Sequence, residues 1–92
     1  MALFALICTD KPGHLEVRKA NRDAHLAYLR ESGVVLQAGP FLNSGGEMCG
    51  SLLILDVADR AAAQAWAASD PYAKAGLFSD ARIEQWNRVI GG

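Results

Sequence analysis

Val34-Val-Leu-Gln-Ala-Gly-Pro-Phe-Leu-Asn-Ser-Gly-Gly-Glu-Met-Cys-Gly-Ser-Leu-Leu-Ile-Leu-Asp-Val57 reads as two strands folded back on each other. The first runs from Val34 to Ala38, is interrupted at Gly39-Pro40 and continues through Phe41 and Leu42. Asn43-Ser-Gly-Gly-Glu47 is the turn, and the second strand begins at Gly50 and ends at Val57. The Gly pair is no phosphate loop: no Lys-Ser/Thr follows it, and G-x-G-x-x-G is absent.

On the N-terminal side, residues 2–9 are apolar at nearly every position and read as a strand buried on both faces. Asp10-Lys11-Pro12-Gly13 is turn chemistry. A helix follows from about Glu16 to Ser32, with Gly33 as a left-handed residue after its end. On the C-terminal side, Asp59 caps a second helix, Arg60 to Ala68, anchored by Trp66. Asp70 precedes Pro71 and so leaves the helical region, and Pro71 to Ala75 makes one more turn, followed by Gly76. A last strand is expected over 81–90, with Ile83 and Val89 on one face and Trp86 and Ile90 on the other.

The order is therefore β-α-β-β-α-β. Right-handed crossovers put both helices on one face of a four-stranded antiparallel sheet, an α+β ferredoxin-like sandwich. Two helices cover only one face, yet the first and third strands are apolar on both. A second copy packed sheet to sheet would cover the other, so a homodimer closing into an α+β barrel is expected. The 92 residues suit a single domain spanning 1–92.

Nine Lys and Arg balance ten Asp and Glu without a basic block, which argues against nucleic acid. No apolar run approaches the ~20 residues of a membrane span, and the N-terminus lacks the basic region of a secretory signal. Cys8 and Cys49 have no metal-like spacing and suit reduced thiols in a cytoplasmic protein. No metal and no cofactor are expected.

The first helix carries the chemistry. At about 100° per residue, Glu16, Lys19, Asp23 and Arg30 face solvent, while Leu15, Leu26, Tyr28 and Leu29 form the buried stripe. Arg18, Asn21, Arg22 and His25 fall on that same stripe. Burying unpaired polar groups costs roughly 2–7 kcal/mol each, so these residues are expected to line a polar pocket. His25 suits a general acid or base. Arg18 and Arg22 suit a clamp for a phenolate, enolate or carboxylate, against the plainer reading of a solvated, salt-bridged face. Ser51 opens a strand where its hydroxyl can reach the pocket. By sequence alone Asp70 is a helix cap, and it serves a site as well only if its side chain is shared. Tyr72 and Trp86 read as core or pocket wall.

His25-Leu26-Ala27-Tyr28-Leu29, Ala38-Gly39-Pro40, Gly50-Ser51, Asp70-Pro71-Tyr72, Ala75-Gly76-Leu77 and Trp86, in this order, resemble the YciI-like (YCII-related) proteins across nearly the whole chain. The resemblance implies a dimeric α+β barrel with His25 and Asp70 as an acid/base pair. It also implies chemistry of the kind carried out by one member, a dehydrochlorinase acting on a chlorinated hydroxyquinol in aromatic degradation. The expected function is thus a cofactor-independent, lyase-type enzyme for a small anionic or phenolic substrate, with Arg18, Arg22 and Ser51 binding it. The alternative is a non-catalytic dimer that holds a small metabolite.

Overall fold

Hairpin and crossovers assemble one antiparallel sheet in the computed structural model, which describes residues 2–91. The elements are β1 (Ala2–Asp10), α1 (Leu15–Ser32), β2 (Val35–Leu42), β3 (Met48–Val57), α2 (Arg60–Ala68), α3 (Pro71–Lys74) and β4 (Phe78–Trp86). Strand order is β2-β3-β1-β4, which puts the two long apolar strands at the centre and leaves β2 and β4 as edges. This is the ferredoxin-like α+β sandwich that the element order predicts.

Register fixes the faces. Leu6 lies opposite Leu53 on one side and Ile83 on the other, and Phe4 lies opposite Leu55. With Cys8 and Val57, these side chains meet Leu29 of α1 and Ala63 and Trp66 of α2 in the core. Side chains alternate across a strand, so Leu3, Ala5 and Ile7 of β1 and Leu52 and Ile54 of β3 point to the face without helices.

Local chemistry sets the helix ends. Gly33 ends α1 with φ of 71°, a conformation that costs glycine little. The Asp59 carboxylate accepts from the Ala62 amide to start α2. Among the described residues, no helix is long and apolar enough to cross a membrane.

Several strand details differ from the sequence reading, among them the start of β3 at Met48 rather than Gly50. Gly39-Pro40 does not interrupt β2: the strand is continuous, and its irregularities fall between Val35 and Gln37 and between Phe41 and Leu42. An edge strand tolerates Pro40 because a missing N–H on the open side loses no ladder bond. The last strand runs from Phe78 to Trp86 rather than over 81–90. Trp86 pairs with Leu3, so β1 has almost no length left to template further residues. Val89 and Ile90 lie beyond the strand, 84% and 90% exposed.

Candidate active site

Arg18, Arg22 and His25 sit four and three residues apart on α1, so one helical stripe presents all three to the sheet. Arg18 and His25 are buried, whereas Arg22 is exposed at the rim. Asn21 does not join them. Its amide donates to the Val17 carbonyl one turn back in its own helix, 2.9 Å away.

Asp70 lies at the junction of α2 and α3, wholly buried at 0% exposure. Its Oδ1 accepts two hydrogen bonds. The Tyr72 amide donates from 3.0 Å, capping α3, and His25 Nδ1 lies 2.7 Å away. Cap and site are therefore shared by a single oxygen. Pro71 at the first helical position holds the backbone that aims it. Asp70 Oδ2 has no partner among the described residues. A carboxylate only accepts, so in a neutral His25 ring this contact favours the tautomer with its proton on Nδ1 and the lone pair on Nε2.

Tyr72 orders the site from below. Its ring stacks on the His25 imidazole at 3.8 Å between centroids and 12° between planes, and the Arg18 guanidinium lies 4.7 Å from its centre. Burial pushes the Tyr72 phenol up, while the nearby Arg18 and Arg22 charges pull it back in part. The net rise keeps it protonated at neutral pH.

Arg18 is committed to the protein. Its Nε donates to Asp10 Oδ2 at 2.7 Å, and its Nη2 donates both to Asp10 Oδ1 at 2.9 Å and to Ser51 Oγ at 2.8 Å. Burial alone would lower its ionisation, but the Asp10 carboxylate and the neighbouring Tyr72 together outweigh that and hold it above its ordinary value. Arg22 is different: among the described residues it has no ion-pair partner.

These groups border a cavity of about 140 Å³ between α1 and the β2–β3 hairpin. A dry engineered cavity of about 150 Å³ takes one benzene ring, so this space suits a single ring. Arg18, Arg22, His25, Ser51 and Tyr72 form its polar wall; Leu26, Leu29, Ala38, Gly39, Pro40, Met48 and Leu53 form the apolar one. His25 borders this space, and its Nε2 has no protein partner among the described residues.

The sequence reading did not single out Asp10, taking it as turn chemistry, nor the stacking of Tyr72. The signal for Asp10 was indirect: an arginine on a buried stripe requires a buried carboxylate, and Asp10 ends the neighbouring strand. Among the described residues, no group of three or more His, Cys, Asp or Glu is placed to hold a metal ion. Trp86 borders neither the cavity nor the core; it stands on the opposite sheet face beside Leu3.

Residues 2–87 match the YCII-related domain family. The chain belongs to that family. It is 35% identical to Protein YciI of Escherichia coli O6:H1, in an alignment covering 96% of this chain and 99% of that protein. It is also similar to a solved structure of 5-chloro-2-hydroxyhydroquinone dehydrochlorinase from Burkholderia phenoliruptrix AC1100, in complex with 2,5-dihydroxybenzoquinone. That likeness has a TM-score of 0.87 and 36% identity, covering 92% of this chain and 93% of the other. A putative antibiotic biosynthesis monooxygenase from Bacteriodes thetaiotaomicron shares the fold at a TM-score of 0.62 and 18% identity, covering 99% and 91%. For this YCII-related protein, those likenesses agree with the sheet order and helix placement described above.

Proposed function

We propose that this protein is a small enzyme that moves protons with His25, oriented by Asp70, on a single-ring phenolic or anionic substrate. The observation that carries the reading is the 2.7 Å contact between His25 Nδ1 and Asp70 Oδ1 beside a ring-sized cavity. Asp70 fixes the tautomer that leaves Nε2 as a base, and its charge stabilises the imidazolium once a proton arrives. General acid–base help of this kind is worth about 10²–10⁴ in rate. The chemistry asks only for this pair, so the proposal includes no cofactor and no metal.

The specific reaction we propose is loss of HCl from a chlorinated hydroxyquinol, supported by the 36% identity to a dehydrochlorinase. His25 Nε2 takes a hydroxyl proton and returns it to the chlorine-bearing carbon, making a ketone. It then takes a second hydroxyl proton as the carbon–chlorine bond breaks and chloride leaves with the bonding pair. The sum is substrate to quinone plus H⁺ and Cl⁻. Arg22, a cation at the rim without an ion-pair partner among the described residues, attracts the anionic ring, while Arg18 and Ser51 form the inner polar wall.

The proposal takes residues 1–92 as one domain and two copies as the working unit in the cytoplasm. Support for the dimer comes from the helix-free sheet face, where Leu3, Ile7, Phe41, Leu52 and Trp86 lie uncovered or half-covered. Support for a reducing compartment comes from the free thiols of Cys8 and Cys49.

The experiment is chloride release from 5-chloro-2-hydroxyhydroquinone by the purified protein. Turnover by the wild type, falling at least 10²-fold in His25→Ala with the fold intact, is expected. Turnover unchanged in His25→Ala would refute the reading.

A further inference from the structure

Arg18 lines the cavity, yet its Nε and Nη2 protons point at Asp10 and Ser51. That arrangement has a directional consequence. Ser51 Oγ is an acceptor for Arg18 Nη2, so the hydroxyl is polarised by a guanidinium that is itself fixed by two bonds to Asp10. The Ser51 hydroxyl proton has no acceptor among the described residues. Ser51 is 3% exposed and borders the cavity, so what that proton meets is whatever occupies the cavity, water or ligand.

We infer that Ser51 is a dedicated hydrogen-bond donor to a ligand oxyanion, and that Arg18 is a positioning residue acting through it. The Asp10–Arg18–Ser51 chain spends a charge pair to fix one hydroxyl in the donating sense. On the same polar wall His25 offers the reverse polarity, since in a neutral ring protonated on Nδ1 the Nε2 atom can only accept. The site therefore selects a ring bearing two oxygens: one gives up its proton to His25, and another takes negative charge facing Ser51. A ring with no ionisable oxygen gains only the weaker, neutral class of hydrogen bond from Ser51. Arg22 contributes long-range attraction at the rim but does not set this polarity, because no hydrogen bond from the described residues fixes its fork.

The inference rests on the reading of the cavity as a ligand site, but its test needs no turnover. It therefore stands or falls separately from the proton-transfer proposal. The probes are 4-nitrocatechol, a coloured single ring with ionisable oxygens, and nitrobenzene, the same ring without them. Binding of both is measured at one pH to wild type, Ser51→Ala and Ser51→Thr, with melting curves to establish that each is folded. Hydrogen bonds to charged groups are the stronger class, so Ser51→Ala is expected to weaken 4-nitrocatechol about 10–100-fold. Nitrobenzene affinity is expected to change less than about 2-fold, and Ser51→Thr, which keeps the hydroxyl, to recover most of the loss. Equal losses for both probes, no loss for 4-nitrocatechol, or no binding of 4-nitrocatechol by the wild type would each overturn the inference.

Discussion

His25 and Asp70 are 45 positions apart in the chain and 2.7 Å apart in the fold, joined through the same carboxylate oxygen that caps α3. One atom thus does local and tertiary work. It starts a helical turn at the α2–α3 junction, and it holds an imidazole carried on α1.

That sharing predicts an unequal response to two substitutions at Asp70. Asp70→Asn keeps an acceptor for the Tyr72 amide but removes the charge behind His25, so activity is expected to fall at least 10²-fold with modest loss of stability. Asp70→Ala leaves two buried donors without partners, and a loss of about 2–5 kcal/mol is expected in chemical denaturation. Equal stabilities for the two variants would argue against the shared oxygen.

Tyr72 is expected to matter through its ring. Its stack on His25 and its cover over Arg18 survive in Tyr72→Phe, which should cost about 1 kcal/mol or less. Tyr72→Ala removes a residue only 1% exposed and should cost about 3–5 kcal/mol. Denaturant midpoints at constant slope would check this pair.

Cys8 and Cys49 should separate by reactivity. Burial, reinforced by the Asp70 charge, pushes the Cys8 thiol up to about 12, so its thiolate is scarce at pH 8. Cys49 is half-buried at the hairpin. Alkylation at pH 8 should modify Cys49 and spare Cys8 in the native protein, and modify both after unfolding; mass spectrometry of the two peptides reads the result.

Much of this architecture is legible in the residues because it follows from local pattern. The apolar runs of β1 and β3, the turn at Asn43–Glu47 and the caps at Asp59 and Gly33 each act within a few positions. The polar stripe on α1 is legible for a similar reason, since arginine and histidine between leucines are costly unless a site pays for them. What the stripe could not show was where each polar group finds its partner. Asn21 satisfies itself on its own helix, while Arg18 needs Asp10 from a strand end that looks like a turn. The end of β4 was equally hidden, because a strand stops where its neighbour stops, and Leu3 opposite Trp86 is nearly the last residue β1 offers.

Gly50 illustrates a constraint visible only in three dimensions. A Cβ there would lie 2.4 Å from the Cys8 carbonyl oxygen, so the paired backbones would have to part. Gly50→Ala is expected to cost about 1–3 kcal/mol, whereas at Gly39 a Cβ meets nothing within 4 Å and the fold should tolerate alanine. Thermal unfolding of the two variants side by side provides the comparison.

The protonation of His25 is the point on which the account turns, and long-range ¹H–¹⁵N NMR of the imidazole reads it directly. With the ring neutral, the account predicts a proton on Nδ1, held by Asp70, and a bare Nε2, with this pattern lost in Asp70→Ala. A proton fixed on Nε2, or an imidazole that averages between tautomers as it would in free solution, would contradict it.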